Sequence, residues 1–137
     1  MFFDEIATVK SINLDFELNR DFNININEYE LERIIDNTLS NAIKYSNEHS
    51  FVDIFIGLEE DRFVIKIQDY GIGLEKDVDV FLPYYQQSSE NSGLGLGLTI
   101  VKEICTKYDI DIVVNSKKNS GTQFIYDVSS IVDKVDK

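Results

Sequence analysis

Apolar and polar residues alternate in two stretches near the start of the chain. The alternating apolar positions are Ile12, Leu14, Phe16 and Leu18 in the first stretch and Phe22, Ile24 and Ile26 in the second. A period of two is typical of strands that bury one face. Because the turn-forming residues 19–21 separate the two stretches, the pattern predicts a β-hairpin.

The apolar period becomes helical after Asn27. It passes through Leu31, Ile34, Ile35, Leu39, Ala42 and Ile43, which is the spacing of an amphipathic helix. Acidic residues at positions 28, 30 and 32 stand in the first turns, where the helix dipole favours negative charge. We expect one long helix that ends near Ser46–Asn47.

Strand-like segments dominate the rest of the chain. They are predicted at about 51–58 and 62–69, around an acidic turn, and at about 110–115 and 122–128, around a turn at 117–121. Between the two pairs, the sequence predicts a loop from Tyr70, a short helix or turn around 76–81, a polar mobile loop at 86–92 and a second long helix that ends at about Tyr108.

These elements predict an α+β fold in a single domain, residues 1–137. The expected architecture is a two-layer α/β sandwich whose sheet is mixed but mostly antiparallel, with the helices on one face. Residues 1–10 are expected to be a lead-in from a preceding domain, and the polar tail 129–137 is expected to fray.

Composition indicates an ordinary globular domain. Hydrophobic residues make up 43% of the 137 residues, which is enough for a packed core. The single cysteine, Cys105, excludes an internal disulfide and suits a reducing compartment. No apolar run reaches the roughly 20 residues of a membrane helix, and the first ten residues do not match a secretory signal.

The formal net charge of -12 restricts the class of ligand. Nucleic-acid binding over a broad face relies on many lysines and arginines, so we expect no nucleic-acid partner. A smaller polyanion would need a metal ion, main-chain N–H groups and a few well-placed lysines to bind here.

The first candidate site lies on the predicted long helix. At about 100° per residue, Asn37, Asn41 and Lys44 fall within roughly 60° of one another, with Tyr45 at their edge. Amide oxygens suit Mg²⁺, and lysine suits the phosphate groups that accompany it. An ordinary solvated helix face would use the same residues, so this stripe alone leaves both interpretations open.

Two glycine-containing segments supply the other candidates. The first, Asp69-Tyr70-Gly71-Ile72-Gly73-Leu74, follows an apolar strand. Its glycines allow a ligand to approach the main chain, and its carboxylate can accept a hydrogen bond from an amino group, although a plain turn has the same composition. The second, Gly93-Leu94-Gly95-Leu96-Gly97-Leu98, opens the second helix, where free N–H groups and the helix dipole favour a phosphate.

In this order and spacing, the segments resemble the histidine-kinase branch of the ATPase superfamily that also contains DNA gyrase B, the heat-shock chaperone and the mismatch-repair ATPase. The family's N box, first G box, F box, second G box and third G box are matched by residues 37–46, 69–74, 81–86, 93–98 and 121–124. The resemblance implies a Bergerat-type sandwich that binds ATP between the first long helix, the glycine loops and a mobile lid, residues 86–92.

The resemblance also implies roles in binding Mg-ATP and in donating its γ-phosphate to a histidine. Asn41 is the implied Mg²⁺ ligand and Asn37 assists it, while Lys44 contacts phosphate and Tyr45 packs on the adenine or sugar. Asp69 reads the adenine amino group with water-mediated help from Gly73 and Thr122. The remaining implied contacts come from Gly71, Ile72 and Leu74 around the base and from Gly93–Leu98 around the phosphates.

Two departures from the family pattern refine this expectation. The superfamily's true ATPases place a water-activating glutamate one helical turn before Asn41, and here that position is Asn37, an amide that cannot act as a general base near neutral pH. We therefore expect slow hydrolysis, as suits a kinase. Residues 84–92 contain no arginine or lysine, which implies weaker lid contacts with the phosphates or help from a partner domain.

The implied partners lie outside this sequence. Its one histidine, His49, follows the N box without the helical pattern of a phosphoacceptor. We therefore expect a separate dimerisation and phosphoacceptor domain, a downstream response regulator and a monomeric isolated chain, in the cytoplasmic portion of a membrane-bound sensor. Two alternatives stay open: an anti-sigma-factor serine kinase, which usually keeps the acidic base that is missing here, and a nucleotide-binding switch module.

Overall fold

The computed structural model describes residues 12–74, 80–81 and 97–133. They form five strands, two α-helices and one short 3₁₀ turn. In chain order these are β1 (Asn13–Leu18), α1 (Glu28–Tyr45), β2 (Phe51–Glu59), β3 (Arg62–Asp69), α2 (Gly97–Tyr108), β4 (Asp111–Lys117), β5 (Gly121–Asp127) and the 3₁₀ turn Ser129–Ile131.

The five strands form one mixed sheet in the order β1-β2-β3-β5-β4. The β1–β2 pair is parallel, and the other three pairs are antiparallel. Both helices pack on the sheet and against each other, so the predicted α+β sandwich is confirmed. The strands predicted around the acidic turn are also confirmed, and Glu60 and Asp61 make that turn tight by adopting positive φ values of 50° and 65°.

The predicted N-terminal hairpin is wrong. Strand β1 pairs with β2, with Asn13 opposite Phe51, and residues 22–26 contribute only the isolated bridge between Ile24 and Val132. Parallel pairing requires a crossover connection, and α1 provides it. The side chain of Asn19 ends β1 by accepting from the Leu58 N–H at 2.9 Å and donating to the Leu58 carbonyl at 3.3 Å.

The expected fraying from Ser129 is wrong as far as Asp133. The Asn25 N–H donates to the Ile131 carbonyl at 2.7 Å, and the Asp133 N–H donates to the Asn23 carbonyl at 2.8 Å. Ile131 and Val132 also pack against the core, so two apolar side chains hold a segment whose composition is otherwise polar. Residues 134–137 lie outside the described part of the chain.

The predicted boundaries of the first helix are confirmed, and its caps explain them. The Asn27 side chain accepts a hydrogen bond from the Glu30 N–H at 3.1 Å, as an N-cap does. At the other end, the Ser46 hydroxyl donates to the Ala42 carbonyl at 2.6 Å. The second helix ends at Tyr108, also as predicted.

The core lies between the helices and the sheet. Its larger part surrounds Phe124 and Tyr126 of β5, and a smaller part lies under the second half of α1, around Leu39 and Ile43. The Tyr126 and Thr38 hydroxyls are 2.6 Å apart within it, and burial raises the pKa of the tyrosine. Among the described residues, no helix combines the length and apolarity needed to span a membrane.

Candidate functional site

Asp69, the last residue of β3, is a buried carboxylate with only 3% of its surface exposed. Its Oδ1 accepts hydrogen bonds from the Gly71 N–H at 3.0 Å and the Thr122 N–H at 3.2 Å. Burial raises the pKa of Asp69, and the two N–H donors partly oppose that rise. The carboxylate is therefore held in a main-chain frame formed by two different elements.

The loop that follows Asp69 lies too close to its neighbours for any residue but glycine at two positions. A Cβ on Gly71 would be 1.9 Å from the carbonyl oxygen of Tyr45, at the end of α1. Gly73 has a φ of 72°, and a Cβ there would be 2.2 Å from the carbonyl oxygen of Lys117. Both glycines were predicted to let a ligand approach the main chain, and in the structure each instead allows close approach to other main chain.

Hydrogen bonds fix the same loop to the end of α1 and to the β4–β5 turn. The Ile72 N–H donates to the Tyr45 carbonyl at 3.3 Å, and the Asn119 N–H donates to the Ile72 carbonyl at 2.7 Å. The Leu74 N–H donates to the Ser116 Oγ at 2.7 Å. The structure thus brings together five of the predicted residues where β3 ends and β5 begins, namely Asp69, Gly71, Ile72, Gly73 and Thr122.

The sequence patterns do not point to Ser116 or Asn119. Neither belongs to a motif, and their role depends on strand register. Ser116 could have been identified from the predicted β4–β5 hairpin, because the register of that hairpin places Ser116 directly opposite the site residue Thr122. Leu74 was expected to line the pocket for the base. Its partly buried side chain packs against the larger core.

The predicted polar stripe on α1 is half-buried, and its first member meets the start of α2. A Cβ on Gly97 would be 3.0 Å from the Oδ1 of Asn37. The Nδ2 of Asn37 is buried and has no hydrogen-bond partner among the residues that the structure describes. The residues predicted from two separate motifs, Asn37 and Gly97, are therefore in contact across the two helices.

The other members of the stripe lie on the last turns of α1. The Lys44 ammonium is 5.7 Å from the ring centre of Tyr45, and burial lowers the pKa of Lys44. Asn41 is half-buried. No group of three or more His, Cys, Asp or Glu side chains able to hold a metal occurs within residues 12–74, 80–81 and 97–133.

The predicted F box touches α2 through its first residue. The Thr99 hydroxyl donates to the Phe81 carbonyl at 2.8 Å, and the Phe81 ring packs edge-on against Phe124 with 6.1 Å between centroids. The rest of the F box, the predicted lid 86–92 and the residues Gly93, Leu94, Gly95 and Leu96 lie outside the described residues. Leu98 is buried in the larger core.

Comparison with known proteins identifies the family. Residues 26–130 match the family model described as histidine kinase-, DNA gyrase B-, and HSP90-like ATPase. The chain is 35% identical over 133 residues to the autoinducer 2 sensor kinase/phosphatase LuxQ of Vibrio parahaemolyticus, covering 88% of this chain and 16% of that protein. It is 33% identical over 134 residues to the sensor histidine kinase WalK of Bacillus subtilis, covering 90% of this chain and 22% of that protein.

Solved structures show the same fold. Full-length ShkA in complex with AMPPNP superposes with a TM-score of 0.83 at 22% identity, over 98% of this chain and 29% of that one. The catalytic domain of the histidine kinase ThkA gives a TM-score of 0.79 at 20% identity, over 94% of this chain and 86% of that one.

These matches cover most of this chain but little of its curated relatives, since it spans 16% of LuxQ and 22% of WalK. The family model covers the segment from the end of the 22–26 stretch to the 3₁₀ turn, including α1, the Asp69 loop and Thr122. On this evidence, the chain belongs to the family of histidine kinase-, DNA gyrase B- and HSP90-like ATPases.

Proposed function

We propose that this chain is the ATP-binding catalytic domain of a sensor histidine kinase. It binds Mg-ATP and donates the γ-phosphoryl group to a histidine on a separate dimerisation and phosphoacceptor domain. The observation that carries the proposal is the buried Asp69 carboxylate, whose Oδ1 is taken by two main-chain donors. The kinase relatives and the nucleotide analogue in the ShkA complex support it.

Asp69 is suited to recognise adenine. Because both main-chain donors reach Oδ1, its second oxygen is the one to accept a hydrogen bond from the exocyclic amino group of the base. Gly73 and Thr122 assist through water, while Tyr45 and the 36%-exposed Ile72 pack against the base or sugar. Without this partner, burial favours the protonated form of the Asp69 carboxylate, in line with its raised pKa.

Asn37, Asn41 and Lys44 are suited to hold the metal and the phosphates. The Nδ2 of Asn37 is a buried donor beside the N-terminus of α2 with no partner in the described part of the chain, and a phosphate oxygen would satisfy it. Asn41 offers an amide oxygen of the kind Mg²⁺ accepts, with phosphates and water completing the coordination. Mg²⁺ there would neutralise charge on the transferred group. Main-chain amides of Gly93–Gly97 complete the proposed phosphate contacts.

Asn37 also favours transfer of the phosphoryl group to histidine over hydrolysis of ATP. An imidazole nitrogen of the acceptor forms a bond to the γ-phosphorus, the bond from that phosphorus to the β-γ bridging oxygen breaks, and ADP leaves. Asn37 cannot remove a proton from water near neutral pH, so water is a poor competitor. The phosphoryl group then passes to a response regulator, and the chain operates in the cytoplasmic portion of a membrane-bound sensor.

Titration calorimetry with ATP and ADP, with and without Mg²⁺, tests the proposal. The wild-type chain is expected to bind both nucleotides, and Asp69→Asn is expected to weaken binding at least about fivefold. Asparagine keeps an oxygen for Gly71 and Thr122 but turns a donor toward the adenine amino group, and an unpaired buried donor costs about 1–3 kcal/mol.

Asp111→Asn is the matched control, because it makes the same charge change at an exposed position at the start of β4. It should bind nucleotide like the wild type. The proposal fails if the wild-type chain ignores adenine nucleotides, or if Asp69→Asn and Asp111→Asn bind them equally well.

A further inference from the structure

Ser116 connects two parts of the candidate site. It lies near the end of β4, directly opposite Thr122 in the β4–β5 pair. Its Oγ accepts a hydrogen bond from the Leu74 N–H at 2.7 Å. The same Oγ lies 3.0 Å from the Thr122 Oγ1 and 3.1 Å from the Gly121 carbonyl oxygen. One hydroxyl group therefore joins the end of the Asp69 loop to the first residues of β5.

These contacts close a ring that includes Asp69. The Thr122 N–H donates to the Asp69 Oδ1 at 3.2 Å, the Thr122 hydroxyl meets Ser116, and Ser116 holds Leu74 at the far end of the loop that Asp69 begins. The ring fixes the carboxylate and the Thr122 hydroxyl relative to each other. Thr122 is itself buried, so its hydroxyl has few other partners to turn toward.

The Ser116 hydrogen bond to Leu74 is made by a side chain, unlike the hydrogen bonds that hold Ile72. Both hydrogen bonds of Ile72, to Tyr45 and to Asn119, join main-chain atoms. A substitution at Ser116 therefore removes one tie of the loop while the main-chain ties stay in place. Ser116 is also solvent-exposed, so its replacement leaves no cavity in the core.

The geometry points to Ser116 as a positioning residue that sets the purine selectivity of this site. A serine hydroxyl has one proton and two lone pairs, and Leu74 occupies one lone pair. Its proton is donated to the Gly121 carbonyl at 3.1 Å, so the second lone pair accepts from the Thr122 hydroxyl. This bond fixes the direction of the Thr122 hydroxyl next to Asp69. Adenine presents an amino donor where guanine presents a carbonyl acceptor, and a fixed set of donors and acceptors discriminates between such ligands. The inference rests on the proposed function.

Nucleotide titration of three variants tests this role. Ser116→Ala is expected to weaken ATP binding about twofold to tenfold, the range for one lost hydrogen bond, and to lower the ratio of the GTP and ATP dissociation constants. Ser116→Thr keeps the hydroxyl and should restore both values. Ser130→Ala is the matched control, since Ser130 is an exposed serine that donates to the main chain at the C-terminal end of α2, and it should behave like the wild type.

Amide hydrogen exchange of Leu74 in the nucleotide-free chain provides a second readout. It should be faster in Ser116→Ala than in the wild type and unchanged in Ser130→Ala. The inference is overturned if Ser116→Ala still binds ATP and its ratio of GTP to ATP dissociation constants equals that of the wild type. That result leaves the proposed function intact. A Ser116→Thr variant that behaves like Ser116→Ala also overturns the inference. A wild-type chain that does not bind ATP contradicts the proposed function itself.

Discussion

Asp69 combines a negative charge with burial at the end of β3. Two main-chain N–H groups stabilise the charge, but burial outweighs them, and the pKa is raised above its ordinary value of 3.8. Unfavourable burial of a charge at one residue is typical of functional sites. The buried charge of Asp69 therefore lowers the stability of the folded chain, and a hydrogen bond from a bound amino group would partly offset this loss.

The raised pKa of Asp69 has a consequence for stability. The folded chain binds this proton more tightly than the unfolded chain, so stability falls as the pH rises from 3.8 through the raised folded pKa. Asp69→Asn removes that loss. We expect the free energy of unfolding of the variant, minus that of the wild type, to increase with pH across this window. Urea denaturation between about pH 4 and 7 measures it, and a difference that does not change with pH would contradict the raised pKa.

At the scale of elements, glycines allow the secondary structures around the site to meet. Gly71 touches the carbonyl that ends α1, Gly73 touches the end of β4, and Gly121 has a φ of 110° with its Cβ position 2.1 Å from the Asp69 carbonyl oxygen. The start of the loop is therefore packed directly on β5, and the loop itself on α1 and β4. Movement of any of these elements would be transmitted to Asp69.

Gly71→Ala should push the Asp69 loop away from the end of α1. Its Cβ would be 1.9 Å from the Tyr45 carbonyl oxygen, which cannot rotate away. We expect a loss of about 1–3 kcal/mol in the free energy of unfolding, the usual cost of overpacking, together with weaker ATP binding. Urea denaturation and calorimetry measure the two effects.

Gly57→Ala is the matched control for this substitution. Its Cβ would meet the Asn19 side chain at 1.7 Å, on β2 and away from the site. This variant should also be less stable, because Asn19 caps the β1–β2 pair, but it should bind ATP like the wild type. If both variants lose ATP binding equally, packing of the loop on α1 has no special role.

At the scale of the whole molecule, the chain has a net charge of -12 and its proposed ligand is a polyanion. Local features must therefore outweigh the overall repulsion. The start of α2 meets the α1 stripe at Gly97, which places a helix N-terminus beside the buried amide of Asn37, and Lys44 lies about two turns further along the same helix. Such an arrangement concentrates positive potential where the sum of charges does not provide it.

The isolated chain should not phosphorylate itself. Its one histidine, His49, is exposed in the turn after α1 and has a φ of 64°. Incubation with ATP labelled at the γ-phosphate should leave no acid-labile label on the chain. Label should appear on a dimerisation and phosphoacceptor domain of a related sensor kinase supplied separately.

His49→Ala should give the same result as the wild type. Label on the wild-type chain that disappears in His49→Ala would contradict this expectation. Acid-stable label on a supplied partner would indicate a hydroxyl acceptor, and with it the serine-kinase alternative.

The sequence by itself determined the two described helices, most strands and the places of Asp69 and Thr122 at strand ends. Helix ends were predictable because capping is local: Asn27 and Ser46 bind main chain within four residues of themselves. The motif residues were predictable because each box concentrates its chemistry in a short segment. Asp69 and Thr122 belonged to different boxes, and the structure joins them by a hydrogen bond.

Only the tertiary structure decided which strand β1 joins, what residues 22–26 do and that residues 129–133 pack against the core and the 22–26 segment. An alternating pattern shows that one face is buried but does not name the partner. The same limit applies to Ser116 and Asn119, whose bonds to the Asp69 loop link residues that are far apart in the chain. Such contacts depend on strand register and on packing between elements, which no local pattern encodes.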